Sequence, residues 1–262
     1  MSVTIVTPAY NCEDTINDVY ASLKGVLSKE INWLLVNDCS TDSTLEEIYK
    51  IASIDKYVSV ISLDVNSGPC IARKFGVSSS SSDYVYLLDS DDYIYKDSFI
   101  EFINFATSDG DFDFYYAPIY GVKSKFDFIY NYQHEVCEAK KILKPTDFIK
   151  YGFPQPSSIL INREFYLDAE VENDLDWGED FLTYLCFSSK GNGFRWVKPI
   201  SCYVINGLGR GSKLSLKSRM ALSKRLFKHS LENKEKRVDS MVYTFFLSVR
   251  HVVSFFYKKV FK

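Results

Sequence analysis

The first half of the chain alternates between two hydrophobic patterns. Short, nearly continuous apolar runs at Ser2–Thr7, Trp33–Val36, Val58–Ser62 and Tyr84–Leu88 are separated by stretches whose apolar residues recur every three or four positions. The first such stretch, Glu13–Ser28, sets Ile16, Val19, Tyr20, Leu23, Val26 and Leu27 on one helical face, and Thr41–Ala52 and Cys70–Val77 repeat the spacing. Continuous runs suit strands buried on both sides, and the longer period suits amphipathic helices. The order β-α-β-α-β-α-β calls for a parallel sheet, because parallel strands need crossovers and the crossover helices cover both faces. Pro8 is expected to end the first strand, and Ser78–Ser82 to form a loop of little chemical content before the fourth.

Beyond about residue 110 the pattern loosens into aromatic-rich stretches at 112–120 and 126–132. Pro154 and Pro156 then precede a strand-like Ser158–Ile161, and a helix is expected over Asp180–Phe187. Residues 214–262 read as helical with a break near Glu232–Glu235. Within them Val238, Met241, Val242, Phe245, Phe246, Val249, Val252, Val253, Phe256 and Val260 form an amphipathic stripe. Arg250 and His251 interrupt it, whereas a transmembrane span needs ~20 apolar residues in a row. The stripe over 238–262 therefore suits a membrane surface; the other reading is a helix pair packed on the body or on a second subunit of a homo-oligomer.

With 262 residues, 46% of them hydrophobic, the chain can bury a full core, which excludes disorder, collagen and a stapled miniprotein. A net charge of −3 conceals an acidic body and a basic tail. Residues 1–212 carry 18 Lys and Arg against 31 Asp and Glu, while 213–262 carry 13 against 3. Basic tails meet polyanions; the absence of any nucleic-acid module leaves anionic lipid or a protein surface. The six cysteines show no Cys-x-x-Cys pair, so a zinc site is not expected. With no signal-like N-terminus, they are read as reduced thiols of a cytoplasmic protein. His134, His229 and His251 are tied to no nucleophile and are read as surface or tail residues.

In open α/β sheets, ligands bind beyond the carboxyl ends of the strands. Those ends carry Pro8-Ala-Tyr-Asn11, Asn37-Asp-Cys-Ser-Thr-Asp42, Asn66-Ser-Gly68 and Asp89-Ser-Asp-Asp92. Carboxylates one residue apart repel unless a cation sits between them, and a divalent ion bridging two phosphates meets that need. The other reading of Asp89–Asp92 is an acidic turn capping a helix that starts near Asp97. Asp38 has its own alternative as a local Asx-turn or cap before Thr41, and Arg73 as a surface helix residue. Gly207-Leu-Gly-Arg-Gly211 does not follow a first strand, so it is no dinucleotide fingerprint, and no P-loop is present.

Taken in order, Thr7-Pro-Ala-Tyr-Asn11, Val36–Asp42, Asn66-Ser-Gly-x-x-x-Ala-Arg73, Leu88–Asp92 and Gly178-Glu-Asp180 resemble the inverting glycosyltransferases of family 2, which have the GT-A fold. The resemblance spans residues 2–205 and is tightest over 3–92. It implies a Rossmann-like, mostly parallel central sheet flanked by helices in a domain at 1–212, followed by a basic helical extension at 213–262. The domain would divide into a nucleotide-sugar half at 1–110 and an acceptor half at 111–212. In the family's terms Pro8, Tyr10 and Asn11 line the nucleobase, Asp38 accepts from a uracil imide, and Asn66, Gly68, Arg73 and Ser90 surround the nucleotide. Asp89 lies near ribose and metal, Asp91 holds Mn²⁺ or Mg²⁺ on the diphosphate, Asp180 is the general base, and Glu179 orients the acceptor. Where relatives place an Arg or His over the diphosphate, this chain offers Arg210 and Ser212.

The Gln-x-x-Arg-Trp signature of processive members is absent, which implies one sugar per binding event. The activity so implied is metal-dependent hexosyl or N-acetylhexosaminyl transfer from a UDP-sugar, serving O-antigen or capsule synthesis. The acceptor would be a saccharide or lipid-linked saccharide at the inner face of the plasma membrane. Two other classes share the architecture: a non-catalytic nucleotide-binding scaffold and a sugar nucleotidyltransferase. A scaffold has no use for Asp89, Asp91 and Asp180, and a nucleotidyltransferase needs a glycine-rich loop where Thr7–Asn11 has no glycine.

Overall fold

A computed structural model describes residues 1–123, 138–169, 178–205, 215–232 and 236–260. Two compact units divide them. The first is built from Met1–Lys140, Pro154–Asp168 and Phe194–Ile205, the second from Lys141–Phe153, Ala169–Gly193 and Asn206–Lys262. The expected boundary at 212/213 lies outside the described residues.

The first unit opens with β1 (Val3–Ala9), α1 (Ile16–Leu23), β2 (Ile31–Asn37), α2 (Thr44–Ile54), β3 (Val58–Ser62), α3 (Pro69–Ser79) and β4 (Tyr84–Leu87). It continues through β5 (Asp92–Ile94), α4 (Lys96–Asp109), β6 (Phe114–Tyr116) and β7 (Tyr120–Val122). After β8 (Lys140–Ile142) and α5 (Pro145–Tyr151), β9 (Ile159–Asn162) and α6 (Arg163–Asp168) return to it. Next come α7 (Glu179–Lys190), β10 (Gly193–Arg195), β11 (Ser201–Val204), α8 (Leu216–Glu232) and α9 (Arg237–Val260).

The main sheet runs β3-β2-β1-β4-β9-β6-β10. Its first four strands are parallel and β9 is antiparallel to both β4 and β6. Ile5, Trp33, Leu35 and Tyr86 fill one buried layer with Ile16, Val19, Ile48 and Phe99, as continuous apolar strands require. A second, three-stranded sheet, β5-β11-β7, follows the acidic turn after β4.

Two expectations about this unit need correction. Pro8 does not end β1; it lies inside the strand, buried and in register with Val36. Val6 accepts from Leu88 on the β4 side, and residue 8 faces the same way, beyond the last β1–β4 pair, so no donor is missed there. The serine run is not all loop either, since Ser78 and Ser79 finish α3.

The second unit packs α5, α7, α8 and α9 around Phe148, Tyr184, Phe187, Leu222, Leu226, Tyr243 and Leu247. Small and polar groups join the buried leucines where α8 and α9 pack. The Ser230 hydroxyl meets Thr244 Oγ1 at 2.8 Å and donates to the Ser240 carbonyl at 3.0 Å, and the Tyr243 hydroxyl donates to the Phe181 carbonyl at 3.1 Å. Every one of these buried hydroxyls has a partner, which is what keeps a polar seam affordable.

His251, read as a surface or tail residue, lies in the tail on α9 and is buried against the Phe181 ring of α7. Burial first, then the Arg219 and Arg250 charges, push its imidazole down to about 4, and its carbonyl accepts from Arg219 at 3.2 Å. No described helix is long and apolar enough to cross a membrane.

Candidate active site

The carboxyl edge of β1, β2, β3 and β4 gathers the polar residues of the first unit. At the end of β1, Asn11 adopts a left-handed φ of 48° and stitches two loops together. Its Oδ1 accepts the Thr41 N–H at 2.8 Å, its Nδ2 donates to Thr41 Oγ1 at 3.2 Å, and its N–H donates to Ser40 Oγ at 3.3 Å. Tyr10 stands 47% exposed on this edge and offers its ring to solvent, whereas Pro8 is buried.

Asp38, at the end of β2, is 1% exposed. Its Oδ1 accepts the Ser67 N–H at 2.7 Å and its Oδ2 the Gly68 N–H at 2.8 Å, while Asn66 Nδ2 donates to its carbonyl at 3.1 Å. The local turn is served by neighbours instead: Asn37 Oδ1 takes the Ser40 N–H and Asp42 Oδ1 the Thr44 N–H. The Asx-turn alternative for Asp38 is thereby overturned. One carboxylate pins the 66–68 loop, which hands over to α3 at Gly68 with φ 85°, a conformation that favours glycine.

From the second turn of α3, Arg73 reaches the end of β4. It is 6% exposed, so the surface alternative fails, and it pairs with Asp89 Oδ1 at 2.5 Å. The capping alternative for the acidic turn fails too: β5 intervenes, and α4 starts at Lys96, capped by Tyr95 with no side-chain hydrogen bond. Of the four residues in the turn, Asp89 and Ser90 are half-buried, Asp91 is exposed and Asp92 is buried. Burial, then the charges of Asp89 and Asp91, push the Asp92 carboxyl well above the usual carboxylate range.

Ser157, in the short turn before β9, is a site residue that no motif announced. It is fully buried, its Oγ accepts the Asp89 N–H at 3.0 Å and serves Asp92, and its carbonyl accepts from the Tyr86 and Ser201 hydroxyls. Thr15 clamps the other side of the turn, donating to the Ser90 carbonyl at 2.7 Å. The only sequence signal nearby is the pair Pro154 and Pro156. A Ser157→Ala change leaves the Asp89 N–H without its acceptor, which costs about 0.5–1.5 kcal/mol for that bond. Urea denaturation should show that loss; a parental midpoint would mean that Ser157 does not hold the turn.

Could the acidic turn hold a divalent ion? Asp89 keeps Oδ2 beyond its bond to Arg73, Asp91 faces solvent, and both donors are hard oxygens. No group of three or more ligating side chains exists among the described residues. Two carboxylates completed by substrate phosphates and water are the usual manner in which Mg²⁺ and its like are held. The residues fit such an ion.

Glu179 and Asp180 open α7 in the second unit; of Glu179 only the backbone is described, and Asp180 is half-buried. Gly178 precedes them at φ 83°, and a Cβ there would stand 2.6 Å from Leu222 Cδ2, so conformation and packing both require glycine. A carboxylate in the first turn sits at the positive end of the helix dipole. Arg210 and Ser212 lie outside the described residues.

The profile of glycosyl transferase family 2 matches residues 4–168, well over half of the chain. The chain belongs to this family. Among its relatives, a Bacillus subtilis glycosyltransferase assigned to teichuronic acid biosynthesis, TuaG, is 36% identical over 95 residues, 36% of this chain and 38% of TuaG. The poly(ribitol-phosphate) beta-glucosyltransferase of Bacillus spizizenii is 33% identical over 109 residues, 40% of this chain and 17% of that protein. The matches thus span well under half the length of these curated relatives.

Among solved structures, Staphylococcus aureus TarS 1–349 in complex with UDP-GlcNAc superposes with a TM-score of 0.74 at 18% identity, covering 93% of this chain and 70% of that one. That likeness is one of fold. This family 2 member has the expected GT-A architecture, a mostly parallel central sheet with helices, followed by C-terminal helices.

Proposed function

We propose that this family 2 protein is a metal-dependent inverting glycosyltransferase that moves a hexosyl or N-acetylhexosaminyl group from a UDP-sugar to a saccharide or lipid-linked saccharide in cell-surface polysaccharide synthesis. The observation that carries the reading is the Arg73–Asp89 pair beside the Asp38-pinned loop, at the sheet edge where this architecture binds ligands. The UDP-GlcNAc held by TarS and the polymer-building names of the relatives support donor and pathway. With a lipid-linked acceptor the enzyme would work at the inner face of the plasma membrane.

In this mechanism Tyr10 offers a ring to the uracil, and Asn66 and Gly68 shape the edge beside it. Arg73 places a fixed guanidinium where the leaving diphosphate gathers charge. Asp89 and Asp91 would hold the Mn²⁺ or Mg²⁺, whose chemistry is to neutralise the diphosphate as it leaves. Asp180 takes the proton of the attacking hydroxyl, whose oxygen forms the new glycosidic bond as the bond to the diphosphate breaks on the opposite face, inverting the anomeric centre.

Incubation with Mn²⁺ and a panel of nucleotide sugars should release UDP from one donor in the presence of acceptor, and chelation of the metal should abolish release. No release from any donor favours the non-catalytic scaffold; formation of nucleoside triphosphate and sugar 1-phosphate from a donor once pyrophosphate is added favours the nucleotidyltransferase.

A further inference from the structure

Helix α9 leaves apolar residues on the side that does not pack. The face buried in the second unit consists of Ser240, Tyr243, Thr244, Leu247 and His251. The opposite face shows Val238 at 76%, Val242 at 49%, Phe245 at 64%, Val249 at 46% and Val253 at 60% exposure, with Met241 and Phe246 beside them. At 100° per residue these seven side chains share one side of the helix, a strip about 22 Å long at 1.5 Å per residue. The inward face mixes Tyr243 and Leu247 with Ser240, Thr244 and His251, while a second, wholly apolar strip is left to solvent, and contiguous exposed apolar surface marks a docking face.

Charge decides what docks there. Residues 213–262 carry 13 Lys and Arg against 3 Asp and Glu. The single acid of α9, Asp239, is already engaged by Lys144 at 3.3 Å and Thr146 at 2.7 Å. Arg237 and Arg250 are exposed alongside the strip, and Lys217, Lys224 and Lys228 of α8 are exposed as well. A second copy would bring an equally basic surface against this one, whereas an anionic surface gains from every one of these cations. An apolar strip with Phe at its centre and Arg237 and Arg250 beside it lies in the plane of a membrane interface, and no described helix is suited to spanning one.

We infer that the outward face of α9, centred on Val242, Phe245 and Val249, docks on an anionic lipid surface. The inference stands apart from the transferase reading, because neither the donor cluster nor Asp180 enters it.

The test is flotation of the full chain with vesicles of phosphatidylcholine alone and with a third of the lipid replaced by phosphatidylglycerol. Wild-type protein should float with the anionic vesicles, float far less with the neutral ones, and be released by high salt. The double variant Phe245→Ser, Val249→Ser should lower partition at least about tenfold, since each substitution forfeits apolar area that the lipid would bury. Both positions are exposed, so the variant's circular dichroism and melting should match the parent. As a control, Tyr49→Ser, at a residue 52% exposed in α2, should float like the parent.

Failure of the wild type to float, or equal flotation of the double variant, overturns the inference. So does a wild-type dimer in light scattering that the double variant turns into a monomer, for then a second copy covers the strip.

Discussion

Asp180→Asn should lower the rate of sugar transfer by about 10²–10⁴-fold, the range that a positioned general base supplies, while the Kd for UDP stays at the parental value. Asparagine keeps the size of the side chain and one acceptor oxygen, but it cannot take the hydroxyl proton. Losing a negative charge from the first turn of α7 costs about 0.3–1 kcal/mol through the helix dipole. Gly178 and its fit against Leu222 remain, so the helix starts where it did. The residues assigned to the nucleotide, Asp38, Arg73 and Asp89, belong to the first unit and Asp180 to the second. Initial rates with acceptor present, set beside calorimetric titration with UDP, separate the two effects. Transfer at the parental rate would remove Asp180 from the mechanism, and a parallel loss of UDP binding would make it a structural residue.

Much of this architecture was legible because continuous apolar runs and a 3.6-residue period are hard to mistake when they alternate. Trp33–Val36 could only be a strand buried on both sides, and Ile16, Val19 and Leu23 point one way on any helix. The strand ends were legible for a related reason: polar residues directly after such runs have nowhere to go but the edge of the sheet.

What escaped was non-local. β5 is three residues long and pairs with Ser201–Tyr203, more than a hundred positions away, so Asp92-Tyr-Ile94 has no signature of its own. Ser157 acts through one hydroxyl and one carbonyl in a turn, and neither leaves a periodicity. The Pro8 expectation failed because proline reads as a breaker wherever a strand is paired on both sides, and only the early end of β4 frees one side of β1. For α9 the stripe was visible and its direction was not. Periodicity says which residues share a face, while the burial of the opposite face depends on Ser189, Ser230 and Arg219 contributed by other helices.

Asp38→Asn should weaken UDP binding about 10²-fold and lower the melting temperature together, and the coincidence of the two is the point. The wild-type carboxylate gives one oxygen to the Ser67 N–H and the other to the Gly68 N–H, at 1% exposure. Asparagine has a single oxygen, so whichever way it turns, its amide N–H₂ confronts a backbone N–H, donor against donor. One charge-assisted bond worth about 1.5–3 kcal/mol is lost, and a buried donor is left unsatisfied. A net cost of about 3 kcal/mol corresponds to roughly 10² in an equilibrium constant and about 6–12 °C in melting for a chain of this size. That cost falls on the 66–68 loop, whose Gly68 opens α3 and thereby sets the approach of Arg73 to Asp89. Had Asp38 served only as the acceptor for a uracil imide, the same change would spare the apoprotein and act on nucleotide affinity alone. Thermal melting without ligand, followed by titration with UDP, distinguishes the two: an unchanged melting temperature with lost affinity assigns Asp38 to base recognition, and a joint loss assigns it to holding the loop on which the nucleotide rests.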